Sequence, residues 1–261
     1  MTAFFAIARV TFRQTLRPRR AIGLLLLAGS VAGMYLLFMI GTRSGFGEIA
    51  TQREEAFEAF IGMTVGVFMN IVVPVVTLII ATSVMGDERR DNTMSFLVLR
   101  PISRFTIGAA KVFAAFMEAF ALTGTGALAF GILVGIKIDS FAYVLPLVVG
   151  TAIGTAAYAA VFVPLGYLLK RATLIGLTYV FIWENGIAAA VPAVASLSPW
   201  RIGVSAMAGM APSDFFELVP ADFALGSLSP GAGGAVVKAV ILMVLSAGFM
   251  ASILRRRDLA T

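Results

Sequence analysis

MGDERRDNTMSFLVLRPISRFTIGAAK, residues 85 to 111, carries five basic and three acidic side chains and lies between two long apolar runs. The whole chain of 261 residues is only 13% charged and 59% hydrophobic, so this gathering of charge marks a segment outside the apolar phase. A soluble domain carries about 25% charged residues. With a mean hydropathy of +0.95, this composition describes an all-α integral membrane protein, read as one transmembrane domain over residues 1–261.

Working outward from that loop, six apolar runs reach the roughly 20 residues that a helix needs to cross a hydrocarbon core of about 30 Å. They lie near 21–40, 61–85, 112–136, 141–168, 174–195 and 235–254. The fourth contains Pro146 and Pro164, which suggest a kink or frayed ends within one span rather than two spans. The first run is longer than the hydrophobic region of a signal peptide and no small-residue cleavage site follows it, so an uncleaved span is expected.

Lysine and arginine set the expected orientation. Arg9, Arg13, Arg17, Arg19 and Arg20 precede the first span, and Arg89, Arg90, Arg100, Arg104 and Lys111 lie between the second and third. Lys170 and Arg171 follow the fourth, and Arg255, Arg256 and Arg257 follow the sixth, so 15 of the 20 basic residues fall on one side. By the positive-inside rule that side is cytoplasmic and both termini are inside a cell membrane. A net charge of +6 and a pI near 10.1 are thus explained by topology and anionic lipid, without nucleic acid.

The first 20 residues read as a cytoplasmic amphipathic helix. Phe4, Phe5, Ala8 and Phe12 form its apolar face and Arg9, Arg13 and Arg17 recur every four residues opposite, with Pro18 turning the chain into the membrane. The outer segment 196–234 is expected to form short helices at the interface, with Trp200 anchored at headgroup depth. Gly-x-x-x-Gly pairs at Gly29/Gly33, Gly62/Gly66, Gly131/Gly135 and Gly150/Gly154 suggest close helix packing, though 26 glycines make some pairs a matter of composition.

Chemistry is constrained by what is missing. There is no Cys and no His, which removes thiolate nucleophiles, imidazole bases and the usual zinc and haem ligands. No G-x-x-x-x-G-K-[ST] stretch occurs, so the chain has no phosphate-cradling loop of that kind. Polar residues inside the runs are Glu118 in the third and Glu184 with Asn185 in the fifth; each carboxylate should face a partner, a cavity or water, and Glu118 could pair with Lys111.

Within the opening stretch, Asp87 to Asp91 form a charged turn, Thr93 can cap a short surface helix that ends near Arg100 and Pro101, and Ser103 can cap the next helix, flanked by Arg104. Glu88, Arg89, Thr93, Leu97, Leu99, Pro101, Ser103, Arg104 and Lys111 resemble the cytoplasmic loop of ABC-2-type permeases, the membrane subunits of ABC exporters. Asn92 stands where that family often has Gly, and Ala110 where a Gly precedes the lysine. The resemblance implies a coupling helix within 86–106 and an elbow-like N-terminal helix, both docking a separate ATP-hydrolysing subunit that holds ATP and Mg. Glu88, Arg89, Arg90, Thr93, Arg100, Pro101, Ser103 and Arg104 would then receive the motor, and two permease subunits, as a homodimer or a mixed pair, would associate. The chain itself would carry no cofactor and no catalytic residue. Substrate movement, or force transmission to an extracytoplasmic partner, would follow; an ion-coupled carrier or channel using Glu118 and Glu184 is the alternative.

Overall fold

The computed structural model describes residues 2–15, 18–42, 49–90, 102–187, 196–212 and 231–258. Among these residues the only regular structure is helical. In chain order the helices are α1 (Thr2–Thr15), α2 (Pro18–Thr42), α3 (Ile49–Gly62), a π-helical segment Met63–Val72 and α4 (Val73–Arg90). There follow α5 (Arg104–Ile138), α6 (Val144–Leu168), α7 (Ala172–Tyr179), a second π-helical segment Val180–Ile187, α8 (Pro199–Ala208) and α9 (Gly231–Asp258).

Five helical stretches are long and apolar enough to cross a membrane: Pro18–Ile40, Glu55–Arg90, Arg104–Ile138, Val144–Leu168 and Gly231–Arg255. The fifth apolar run of the sequence is described only in part. α7 and its π segment contribute eight residues each, about 24 Å of helix at most, and the remainder of the 174–195 run lies outside the described residues. The Glu55–Arg90 helix has 36 residues, about 54 Å, and so extends well past a bilayer core.

The first π segment has a local cause. Pro74 lacks the N–H that would bond the carbonyl four residues back, and its ring crowds that carbonyl. The helix immediately before it widens, and the Val73 N–H bonds the carbonyl of Phe68, five residues earlier. In α6, by contrast, Pro146 falls in the first turn, where its missing N–H has no intrahelical partner to lose, and Pro164 falls near the end. The run therefore stays one helix.

α6 is the centre of the bundle. It is apolar all round, as a helix enclosed by others must be, and packs against α4, α5, α8, α9 and α7. α2 and α9 lie outside, where Leu25, Leu26, Leu37, Val237, Ile241 and Leu245 are exposed. In water each would forfeit about 1.5–3 kcal/mol of burial; against lipid tails the penalty vanishes. A buried aromatic cluster of Tyr35, Phe60, Phe68, Phe130 and Tyr143 joins α2, α3, its π segment, α5 and the α5–α6 connection.

α8 is enclosed by the bundle: Ile202, Val204, Ala206, Met207 and Ala208 are buried, and the helix packs along α6 and α9. Trp200, expected as an anchor facing the headgroups, is buried too and donates its indole N–H to the carbonyl of Val65 at 3.3 Å, which pins α8 to the first π segment. The glycine pairs also divide. Gly150 and Gly154 of α6 receive Gly203 of α8, where an added Cβ on Gly203 would stand 2.9 Å from Gly154 Cα. Gly29, Gly33, Gly62 and Gly66 face open space, and Gly131 and Gly135 meet Val144 and Phe141 of the following connection and helix start.

Candidate functional site: the basic end of the bundle

Lys111 lies about two turns into α5 and is only 1% exposed. An ammonium taken out of water costs several kcal/mol unless it is paired and hydrogen-bonded. Both conditions are met: its Nζ forms an ion pair with Glu88 Oε1 of α4 and donates to the Thr11 hydroxyl of α1 at 2.8 Å. Thr11 is buried and passes its own proton to the carbonyl of Ile7 at 2.9 Å. One side chain thus ties α1, α4 and α5 together directly beside the charged segment that follows Arg90.

This node corrects the pairing expected from sequence. Glu118 does not hydrogen-bond Lys111; it is fully buried, and neither of its oxygens has a hydrogen-bond partner among the described residues. Lys111 and Arg20 are its nearest cationic influences. The buried side of α1 is also shifted. Phe4 packs against Phe113 at 5.6 Å, Ile7 packs on the core and Thr11 meets Lys111, whereas Phe5 and Phe12 remain exposed. That leaves α1 one face on the bundle and a second apolar edge outward, as a helix lying in a bilayer interface requires.

The other expected coupling residues separate into two sets. Arg89 donates to the carbonyls of Tyr167 and Leu168 at 2.6 and 3.1 Å, closing the C-terminal end of α6, where unpaired carbonyls and the helix dipole favour a cation. Glu88 is likewise committed to Lys111. Arg90 faces solvent in an exposed pair with Asp87 at 3.0 Å, which contributes little. Ser103 caps α5, its hydroxyl accepting from the Thr106 N–H at 3.0 Å, and Arg104 follows half-exposed. Thr93, Arg100 and Pro101, with the helix expected around them, lie outside the described residues.

Towards the opposite end, Glu184 stands in the second π segment and is buried. Its Oε2 accepts from the Ser198 hydroxyl, and Ser198 is also the N-cap of α8, accepting from the Arg201 N–H at 3.2 Å. The carboxylate therefore sits where a helix N-terminus favours negative charge. Asn185 belongs to the same π segment, and its side chain lies outside the described ones. The link from Glu184 to Ser198 joins helices 14 residues apart in sequence. Glu184 and Glu118 thus occupy separate surroundings, one against α8 and the other near Lys111 and Arg20.

Five long apolar helices with cations gathered at one end define the class: a polytopic membrane protein. Residues 18–184 match the family model described as ABC-2 family transporter protein, and the chain belongs to that family. The match covers α2 through Glu184 and leaves α8 and α9 beyond it. Comparison with curated proteins gives no significant match.

Proposed function

We propose that the chain is the permease subunit of an ATP-driven ABC transporter, working with a separate ATPase subunit that docks on the basic end of the bundle. The observation that supports this best is the Lys111 node. A push delivered to the segment between Arg90 and Ile102 reaches α4 and α5 through their ends, and the ion pair passes it to α1. Buried pairs of this kind act as registry devices because either charge alone is costly. In this reading the basic end is cytoplasmic, both termini are inside, two permease copies associate, and Mg-ATP is bound and hydrolysed by the partner. The permease itself performs no bond chemistry.

Arg90 is exposed and Arg104 half-exposed on that end, and both are assigned to an acidic partner surface; Arg100 is assigned the same role from the sequence. Reconstitution of the chain with its ATPase subunit in proteoliposomes is the test. ATP-dependent substrate movement or ATPase activity that rises on pairing, reduced at least about tenfold by Arg90→Glu with Arg104→Glu, is expected from loss of charge complementarity across the contact. Flux through the isolated chain that follows a proton or sodium gradient and ignores ATP would contradict it, and would move the energy source to Glu118 or Glu184.

A further inference from the structure

The basic end also carries a cleft, two of whose cations, Lys170 and Arg171, are not among the coupling residues. A cavity of about 500 Å³ opens between α4, α6 and the start of α7, walled by Thr82, Gly86, Gly166 and the connection Leu169–Leu174. That volume lies within the range of about 300–1,000 Å³ typical of small-ligand clefts. Arg89, Arg90, Lys170 and Arg171 all stand on its wall. Against these four cations, Glu88 is committed to Lys111 and Asp87 pairs with Arg90. Lys170 and Arg171 are exposed and make no ion pair among the described residues.

We propose that this cleft binds the phosphate of an anionic phospholipid headgroup. Besides the cations, the first turn of α7 (Ala172 to Leu174) lines the cleft, and its N-cap Arg171 supplies no side-chain hydrogen bond to it. The Thr173 hydroxyl, paired with Thr82 at 3.2 Å, adds a polar wall. What favours a lipid over a free anion is the surface that continues from the cleft. Leu174, Ile175, Phe181 and Ile182 are 60%, 43%, 51% and 58% exposed and recur at helical spacing along α7 and its π segment. Acyl chains laid on that stripe would bring the phosphate to Lys170 and Arg171, the arrangement of basic pockets between membrane helices that hold lipid heads.

The experiment is native mass spectrometry of the full chain released from nanodiscs containing either phosphatidylglycerol or phosphatidylcholine. Wild type should retain phosphatidylglycerol in preference to phosphatidylcholine. Lys170→Gln with Arg171→Gln should weaken that retention about 30-fold, from about a fivefold loss per surface charge removed. Lys170→Arg with Arg171→Lys should keep it, and Arg9→Gln with Arg19→Gln, which removes two exposed charges away from the cleft, should leave it unchanged. Equal losses in the two Gln pairs would mean diffuse attraction and overturn the site. Inorganic phosphate binding in detergent with the same dependence on Lys170 and Arg171, but no preference among lipids, would overturn the lipid assignment. So would loss of ATPase-subunit capture with phosphatidylglycerol retention intact, which would give the cleft to a protein partner.

Discussion

Glu88→Leu is expected to destabilise the permease by about 3–5 kcal/mol, the cost of leaving one member of a buried ion pair without its partner. Lys111 would be left at 1% exposure with the Thr11 hydroxyl as its hydrogen-bond partner and no ion pair. Lys111→Met should cost less, because the Glu88 side chain is 13% exposed and can turn toward water. The double variant Glu88→Leu with Lys111→Met should recover most of the loss, since two apolar side chains of similar volume need no pairing. Yet it should lower ATP-coupled activity, because the tie to α1 is gone. Thermal unfolding in mild detergent gives the stability ranking and proteoliposome assays the activity. Stability of Glu88→Leu within about 1 kcal/mol of wild type would show that the node carries neither role.

Gly166→Ala is expected to cost about 3 kcal/mol, the upper end of overpacking in a close-packed interior. A Cβ there would stand 2.4 Å from the Thr82 carbonyl oxygen and 2.7 Å from its Cα. Both are backbone atoms of α4, so no side chain can rotate aside; α4 and α6 must separate, and Arg89 would lose its reach to the carbonyls of Tyr167 and Leu168. Gly33→Ala provides the contrast: nothing lies within 4 Å of its added Cβ. There the higher helix propensity of Ala should leave stability unchanged or raise it by up to about 1 kcal/mol. Equal melting temperatures for the two variants would contradict the close approach of α4 and α6.

Long apolar stretches were legible because hydrocarbon imposes a length, and the family was legible because the charged loop has a pattern in a single continuous segment. What escaped the sequence is mostly tertiary. Lys111 and Thr11 are separated by 100 residues, and nothing in either neighbourhood announces the other. Glu118, seven residues from Lys111 and on the same helix, was the natural partner by spacing, but the Glu88 carboxylate at the end of α4 reaches the ammonium instead. Thr11, one turn beyond Ile7 and between Val10 and Phe12, was the hint that α1 turns a polar contact inward.

The enclosure of α8 escaped the sequence for a related reason. The helix starts with a serine cap at Ser198. Its fate was decided by small residues: Gly203, Ser205, Ala206 and Ala208 let it approach α6 at Gly150 and Gly154, closely enough to be enclosed. Pro74 was visible in the sequence and widens the helix before it locally, but the bond from Trp200 to the Val65 carbonyl depends on the enclosed α8.

Because the chain contains no cysteine, single cysteines can report contacts without background. Phe105→Cys and Lys170→Cys place thiols at exposed positions on the basic end, and Ala142→Cys places one at the connection between α5 and α6 on the opposite end. In the assembled complex with its ATPase subunit, a short bifunctional cross-linker should join positions 105 and 170 to that subunit, with yields that change when ATP is added, and should leave position 142 unjoined. Cross-linking from position 142 with none from 105 or 170 would contradict docking on the basic end, and with it the proposal that force enters the permease beside Lys111.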